Sequence, residues 1–177
     1  MARVRARSVG ARETTVTGVT RLAAVLLTGL LAGTGMGLWF VESRPLGTAA
    51  AYVEYKQAAI AGYSIPLPLL GFGSLVVVLV LLASVRADRA ARLPVLAAAV
   101  LLVAGIVLSV AVHFPLNAEI AAWSPQSPPA DWAQARDTWH AANGVRVLLN
   151  TAAFALLAAT ATLVRRAPQE TRTAAAA

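Results

Sequence analysis

Four long apolar runs alternate with polar segments along the chain. The runs cover residues 22–41, 65–85, 93–116 and 147–164, and none of them contains Asp, Glu, Lys or Arg. At a rise of about 1.5 Å per residue, about twenty helical residues cross a hydrocarbon core of about 30 Å. The pattern therefore predicts an all-α fold, an integral membrane four-helix bundle with one helix on each run.

The same pattern divides the chain into three parts. Residues 21–166 form the predicted four-span membrane domain. Residues 1–20 are predicted to be a basic tail and residues 167–177 a disordered tail, because neither carries an apolar pattern that a core would bury. The charge-free stretch begins earlier, at Gln57, and Pro66 and Pro68 predict a bent helical turn or two before the second span.

Composition supports a membrane protein. The chain is 58% hydrophobic and 13% charged, far from a typical soluble domain. It has no cysteine, which excludes disulfides, thiolate metal sites and cysteine nucleophiles. The net charge of +7 comes from arginines that flank the apolar runs, so the predicted partner is the lipid bilayer and not nucleic acid.

The basic residues also predict an orientation. Eleven of the fifteen Lys and Arg residues precede the first span, separate the second from the third, or follow the fourth. The positive-inside rule then places both termini in the cytoplasm of a multi-pass protein of the cell membrane. Most of the unusual polar residues consequently lie at the extracytoplasmic ends of the third and fourth helices.

The first helix carries small residues at a regular spacing. Gly29, Gly33 and Gly37 are four residues apart, which lets a neighbouring helix approach closely. This spacing predicts either packing inside the bundle or a homo-oligomer contact.

The third run ends in His113-Phe-Pro-Leu-Asn117 instead of a basic residue. His113 and Asn117 are four residues apart and share a helix face. Pro115 between them has no N–H, so it should kink the helix and free the carbonyl of Ala111. The pair either marks the membrane interface or faces a polar cavity inside the bundle.

A polar stripe runs along the fourth helix. At about 100° per residue, its members fall within about 80° of each other: Arg136, Trp139, Asn143, Arg146 and Asn150. Asn150 lies deepest and needs a partner, which interhelical hydrogen bonding or a ligand would supply. Arg146 is predicted to pair with Glu42, Glu119 or a bound anion.

Common cofactor motifs are absent from the sequence. There is no glycine-rich phosphate loop, no His-Glu-x-x-His and no metal-binding spacing of carboxylates. His113 and His140 are on two helices, as haem ligands can be, but His140 lies about 80° from the centre of the polar stripe. The sequence therefore predicts no metal and no cofactor.

Two short motifs give a family resemblance. "HFPLN" at residues 113–117 and "ARDTWHAANGVR" at residues 135–146 resemble the anthrone oxygenase family of small four-helix membrane proteins. The resemblance in architecture extends over about residues 19–164. It implies oxidation of polyketide anthrones to anthraquinones by O2 without an organic cofactor or metal. The family motif matches four residues here: His113, Asn117, Trp139 and Arg146.

The implied chemistry suits these side chains. An anthrone has an acidic methylene between two aromatic rings, and the anion left by its deprotonation can reduce O2 directly. We expect three catalytic residues: His113 as the base, with Arg146 and Asn117 holding the anionic oxygen. The predicted substrate-binding residues are Phe114, Trp139, His140, Asn143, Asn150 and Glu42.

The sequence thus predicts a membrane oxidoreductase of anthrone oxygenase type that acts on a lipophilic polyphenol or anthrone. The alternative is a non-enzymatic four-helix membrane protein that binds a lipid or partner subunit and uses the same polar cluster for packing. A cavity lined by Trp139, Asn143 and Arg146 would favour a ligand site. A tight pair between Arg146 and a carboxylate, with no cavity beside His113, would favour the alternative. The sequence contains no visible inverted repeat, so it does not favour a transporter.

Overall fold

The computed structural model is helical throughout most of its length, and it describes residues 15–44 and 47–161 in full. The predicted disordered tail at residues 167–177, and most of the predicted basic tail at residues 1–20, lie outside these described residues. The elements are α1 (Ala2–Glu42), α2 (Ala49–Tyr63), α3 (Pro66–Ser84), α4 (Arg89–Leu108), a π-helical turn (Ser109–His113), α5 (Phe114–Ala121) and α6 (Trp132–Ala174).

Four helical segments are long and apolar enough to cross a membrane. They are Thr15–Glu42, Pro66–Ser84, Arg89–Ala121 and Trp132–Ala161. The predicted fold of four membrane helices is therefore confirmed. The last segment begins at Trp132, well before the predicted start at Val147, because the polar stripe continues the same helix beyond its apolar run.

The four spans form a ring in which each contacts two others. α1 and α4 both pack against α3 and α6, so sequential up-and-down crossings place antiparallel helices side by side. The buried core between them contains Val78, Leu81, Leu102 and Leu157. The outward faces carry exposed apolar side chains such as Leu26, Val76, Val100 and Leu148, as expected of helices that contact lipid.

The short helix α2 covers one end of this ring. The Thr48 side chain caps its first turn by accepting a hydrogen bond from the Ala51 N–H at 3.2 Å. In its middle, the Gln57 side-chain amide donates to the carbonyls of Ile120 at 3.1 Å and Trp123 at 2.8 Å. These bonds fix α2 against the end of α5. We call this side of the molecule the α2 end.

The glycines of α1 divide between two environments. A Cβ at Gly29 would lie 3.0 Å from the Phe154 ring on α6, whereas Gly33 and Gly37 face open space. Gly29 thus lets α1 and α6 pack closely within one copy of the chain. A homo-oligomer contact through the other two glycines stays a prediction.

The irregularity predicted at Pro115 takes the form of the π turn. The Phe114 N–H bonds to the carbonyl of Ser109, five residues earlier. Proline has no N–H, and in a regular α-helix its ring would clash with the carbonyl four residues before it. The wider π turn just ahead of Pro115 relieves that conflict.

Candidate functional site

A cavity of about 360 Å³ lies inside the α2 end of the bundle. Its volume falls within the range of small-molecule sites, about 300 to 1,000 Å³. Apolar side chains from α1, α2, α3 and α4 form most of its walls. Its polar lining consists of Glu42, Lys56, Ser64, Ser109, His113, Asn117, Trp139, Arg146 and Asn150.

One wall follows α4, the π turn and α5. Gly105, Ser109, His113 and Asn117 all line the cavity at intervals of four residues. In a regular α-helix, a step of four residues exceeds one full turn by about 40°. The side chains of these four residues would therefore point in progressively different directions. The π turn adds a residue without a full helical rotation and keeps them on one face. The sequence placed only His113 and Asn117 together.

Arg146 dominates the opposite wall on α6. Its Nη2 donates to Asn143 Oδ1 at 2.7 Å and its Nη1 to Ser109 Oγ at 3.3 Å. Among the described residues, ion pairs join Lys56 to Glu42 and Arg136 to Asp137, and no carboxylate lies within ion-pair distance of Arg146. The guanidinium is held in place by neutral groups, so no carboxylate among the described residues neutralises its positive charge.

Asn143 and Asn150 have different positions around this guanidinium. Asn143 does not line the cavity but is fully buried and orients Arg146 through its carbonyl oxygen. Asn150 lines the cavity one turn deeper, and its Oδ1 lies 3.2 Å from where a Cβ at Gly105 would stand. The absence of a side chain at Gly105 therefore makes room for Asn150.

Lys56 on α2 supplies a second buried cation. The side chain is almost completely buried, with 1% of its surface exposed. Its Nζ donates to Glu42 Oε1 at 2.7 Å and lies 2.9 Å from the centroid of the Trp139 ring. Burial lowers the pKa of Lys56 from 10.5 to about 8, and the charge of Arg146 acts in the same direction, while Glu42 opposes them.

Sequence reasoning missed Lys56 as a site residue. A lone lysine beside an apolar run is usually a solvated interface residue. No sequence signal marks it, because Tyr52, Val53 and Lys56 are the buried residues of α2 only as a result of how this helix folds across the bundle.

His113 and Asn117 both contact Trp139. The His113 and Trp139 rings meet edge to face, with centroids 4.9 Å apart, and Trp139 Nε1 donates to Asn117 Oδ1 at 2.8 Å. His113 is buried, and neither ring nitrogen makes a hydrogen bond with a described residue. The carbonyl of Leu108 lies near the ring. Both nitrogens are enclosed by protein, so contact with a ligand requires neighbouring side chains to shift.

The remaining predicted residues lie at the edge of the cavity or outside it. Phe114 lines the cavity and is half exposed, and Glu119 is exposed on α5. His140 stacks on Trp39, with ring centroids 5.7 Å apart, and lines a second cavity of about 390 Å³. Of the residues that the structure describes, the two cavities share Glu42 alone. The two histidines therefore do not face one another across a common haem site.

The charges of the first cavity do not balance. Within the described part of the chain, Lys56 and Arg146 contribute two cations to the lining, against the carboxylate of Glu42. A buried charge without a partner is costly, so this arrangement favours a ligand that carries negative charge. Within the described residues, no group of three or more His, Cys, Asp or Glu side chains could hold a metal ion.

Comparison with known proteins identifies the family. A family model described as "Anthrone oxygenase" matches residues 56–156, more than half of the chain. The matched segment begins at Lys56 and contains His113, Asn117, Trp139 and Arg146. No curated protein and no solved structure gives a significant match. The match to the family model confirms the resemblance carried by the two motifs, and the chain belongs to the anthrone oxygenase family.

Proposed function

We propose that the protein is a membrane oxidoreductase that oxidises a lipophilic polyphenol or anthrone with O2. Family membership supports the reaction class. The cavity carries the proposal, because it encloses an apolar space beside His113 and has two buried cations for one carboxylate. A bundle that used its polar residues only for packing would pair Arg146 with a carboxylate and would leave no such space.

The reaction in this proposal converts a methylene to a carbonyl. Deprotonation of the methylene gives a carbanion whose charge is delocalised onto the ring oxygen. One electron passes to O2, and the resulting carbon radical and superoxide combine into a peroxide. Protonation gives a hydroperoxide, which loses its remaining C–H proton and, by O–O cleavage, hydroxide. One oxygen atom ends in the new carbonyl and the other in water, so the substrate supplies all four electrons.

Each step has a suitable side chain in the cavity. His113 is the base that takes the methylene proton, because it lines the cavity and no described side chain bonds to either of its ring nitrogens. Arg146 and Lys56 hold the anionic oxygen. The Asn117 amide NH2 can also donate to it, because its carbonyl oxygen is already bound to Trp139. Trp139 and Phe114 offer aromatic surfaces for the rings of the substrate.

The test is oxygen-dependent conversion of an anthrone to its anthraquinone by the purified protein in lipid. We expect conversion well above the spontaneous rate, and loss of that activity in His113→Ala at matched folding. His140→Ala is the matched control, because it removes the other histidine from the second cavity. Background conversion by the unaltered protein would remove this substrate class and favour a bundle that binds a lipid or partner subunit.

We also propose an orientation and location. Both termini lie in the cytoplasm and the α2 end faces the extracytoplasmic side of the cell membrane. The distribution of arginines supports this, since the connection between α3 and α4 carries Arg86, Arg89 and Arg92. The cavity and its polar groups then lie in the outer half of the bilayer.

A further inference from the structure

The cavity reaches the lipid-facing surface of the bundle between two helices. Phe72 on α3, Val110 in the π turn and Phe114 at the start of α5 all line the cavity. Each is also about half exposed, at 48%, 52% and 44% respectively. A side chain that borders the cavity and the outer surface at once marks an opening. These three residues lie within the candidate membrane spans, so this part of the opening faces lipid. The exposed lining residues Tyr63, Ser64, Ala118 and Ala121 continue it toward the α2 end.

The side of the cavity nearest the second cavity has a different structure. Among the described residues, Glu42 alone lines both spaces, and its carboxylate is bound to the buried Lys56. The second cavity is polar and includes Arg44, Arg136 and Asp137, all at the α2 end. The ion pair therefore separates the ligand cavity from the groups that face water.

We infer that the ligand enters sideways from the bilayer, through a slit between α3 and the π turn bordered by Phe72, Val110 and Phe114, and not through the second cavity. The chemical class of the ligand, a neutral lipophilic aromatic molecule, rests on the proposed function. A molecule of this class partitions into the membrane and meets the apolar slit there. It ionises only inside, beside Lys56 and Arg146.

The absence of cysteine allows a test of this route that needs no substrate. Ser109→Cys places one thiol inside the cavity with little change in side-chain size. In lipid nanodiscs, a neutral lipid-soluble maleimide is expected to modify this thiol, whereas a sulfonated maleimide is not. Ser43→Cys in the second cavity is the control, and the sulfonated reagent should modify it readily.

Closing the slit should then slow the neutral reagent. In the Ser109→Cys background, Val110→Trp is expected to reduce its rate by about tenfold, because a narrowed route limits association. Val107→Trp is the matched control, since Val107 is exposed on the same helix but does not line the cavity. Phe72→Trp with Leu69→Trp as its control repeats the comparison on α3 if Val110→Trp fails to fold.

Three results would overturn the inference. The first is an equal rate of modification in Val110→Trp and Val107→Trp. The second is that the sulfonated reagent modifies the Ser109→Cys protein as fast as it modifies the Ser43→Cys protein. The third is that neither reagent modifies the Ser109→Cys protein. These outcomes do not depend on catalysis. If the slit behaves as expected but no anthrone is oxidised, the lateral route stands and the proposed substrate class fails.

Discussion

Arg146 is the cation of the cavity that has no carboxylate partner among the described residues. Asn143 and Ser109 fix its position, so no reorganisation is needed when negative charge develops on the substrate. We expect Arg146→Met to lower kcat/KM for an oxidised anthrone by about 100-fold, since loss of one preorganised donor commonly costs 10² to 10³. Oxygen consumption by the protein in lipid measures this effect.

A matched control for Arg146 is available on the same helix. Arg136 bonds to Asp137 and lines the second cavity, so Arg136→Met removes the same charge and leaves the ligand cavity intact. Its turnover should stay within about twofold of the unaltered protein, as for most surface changes. If Arg146→Met also kept full turnover, Arg146 would not hold the anion.

Lys56 should make anion binding depend on pH. Burial lowers its pKa from 10.5 to about 8, so it is mostly charged at pH 7 and mostly neutral at pH 9. We expect an anthraquinone carboxylate, whose own charge is constant in this range, to bind about tenfold more weakly at pH 9 than at pH 7. Quenching of tryptophan fluorescence, to which Trp139 in the cavity contributes, reports binding.

The Lys56→Met protein should bind this anion weakly and without the pH step. Lys56 also makes the free energy of unfolding depend on pH, and the direction follows from its lowered pKa. Because folding lowers its pKa, the unfolded chain binds more protons between pH 8 and pH 10.5, and the contribution of Lys56 to stability rises with pH across that interval. A pH step that persisted in Lys56→Met would assign the titration to another group.

The sequence could identify residues whose spacing alone brings them together. His113 and Asn117 lie four apart on one helix, and Trp139 and Arg146 lie on one stripe of another, and all four line the cavity. Lys56 could not be found in this way, because its burial depends on how α2 folds across the bundle. Asn143 shared the stripe, but only the structure shows that it supports Arg146 from behind.

At the scale of elements, the π turn is what aligns the α4 wall of the cavity. It acts as one extra residue inserted in an otherwise α-helical stretch. Deleting Ala111 from the turn, together with Pro115→Ala, should therefore give a continuous α-helix. The residues before and after the deletion should keep the sides that they now turn toward the core and the cavity. We expect the thermal midpoint in detergent to change by no more than about 5 °C.

Deleting Ala104 in the same Pro115→Ala background is the matched control. Ala104 is also exposed, but it lies in regular α-helix, where loss of one residue rotates everything before it by about 100°. That rotation moves Val95 and Leu102 out of the core, and we expect the midpoint to fall by about 10 °C or more. Similar midpoints in the two deletions would mean that the π turn is not a removable insertion.

The elements differ in how well the sequence specifies them. The second span was predicted at residues 65–85 and forms Pro66–Ser84, because an apolar run bounded by prolines and arginines has clear limits. The helix α2 was predicted only as a bent turn or two. Its apolar and polar residues are scattered around the helix instead of separating into two faces, so periodicity gives no sign of it.

At the scale of the whole molecule, the two ends of the bundle are chemically different. One end carries the arginines of the α3–α4 connection, and the other carries α2, both cavities and the loop from α5 to α6. In the route that we propose, this asymmetry gives a neutral aromatic ligand an apolar path at membrane depth and a cationic site beyond it. The orientation that we propose from the distribution of arginines would place this site in the outer leaflet.

Single cysteines test that orientation in intact cells, because the chain has none of its own. Ser127 in the α5–α6 loop and Ala87 between α3 and α4 are both exposed. A membrane-impermeant maleimide should modify Ser127→Cys in intact cells and Ala87→Cys only after the membrane is permeabilised. The reverse pattern would place the cavity in the inner leaflet, and the ligand would then have to reach it from the cytoplasmic side of the bilayer.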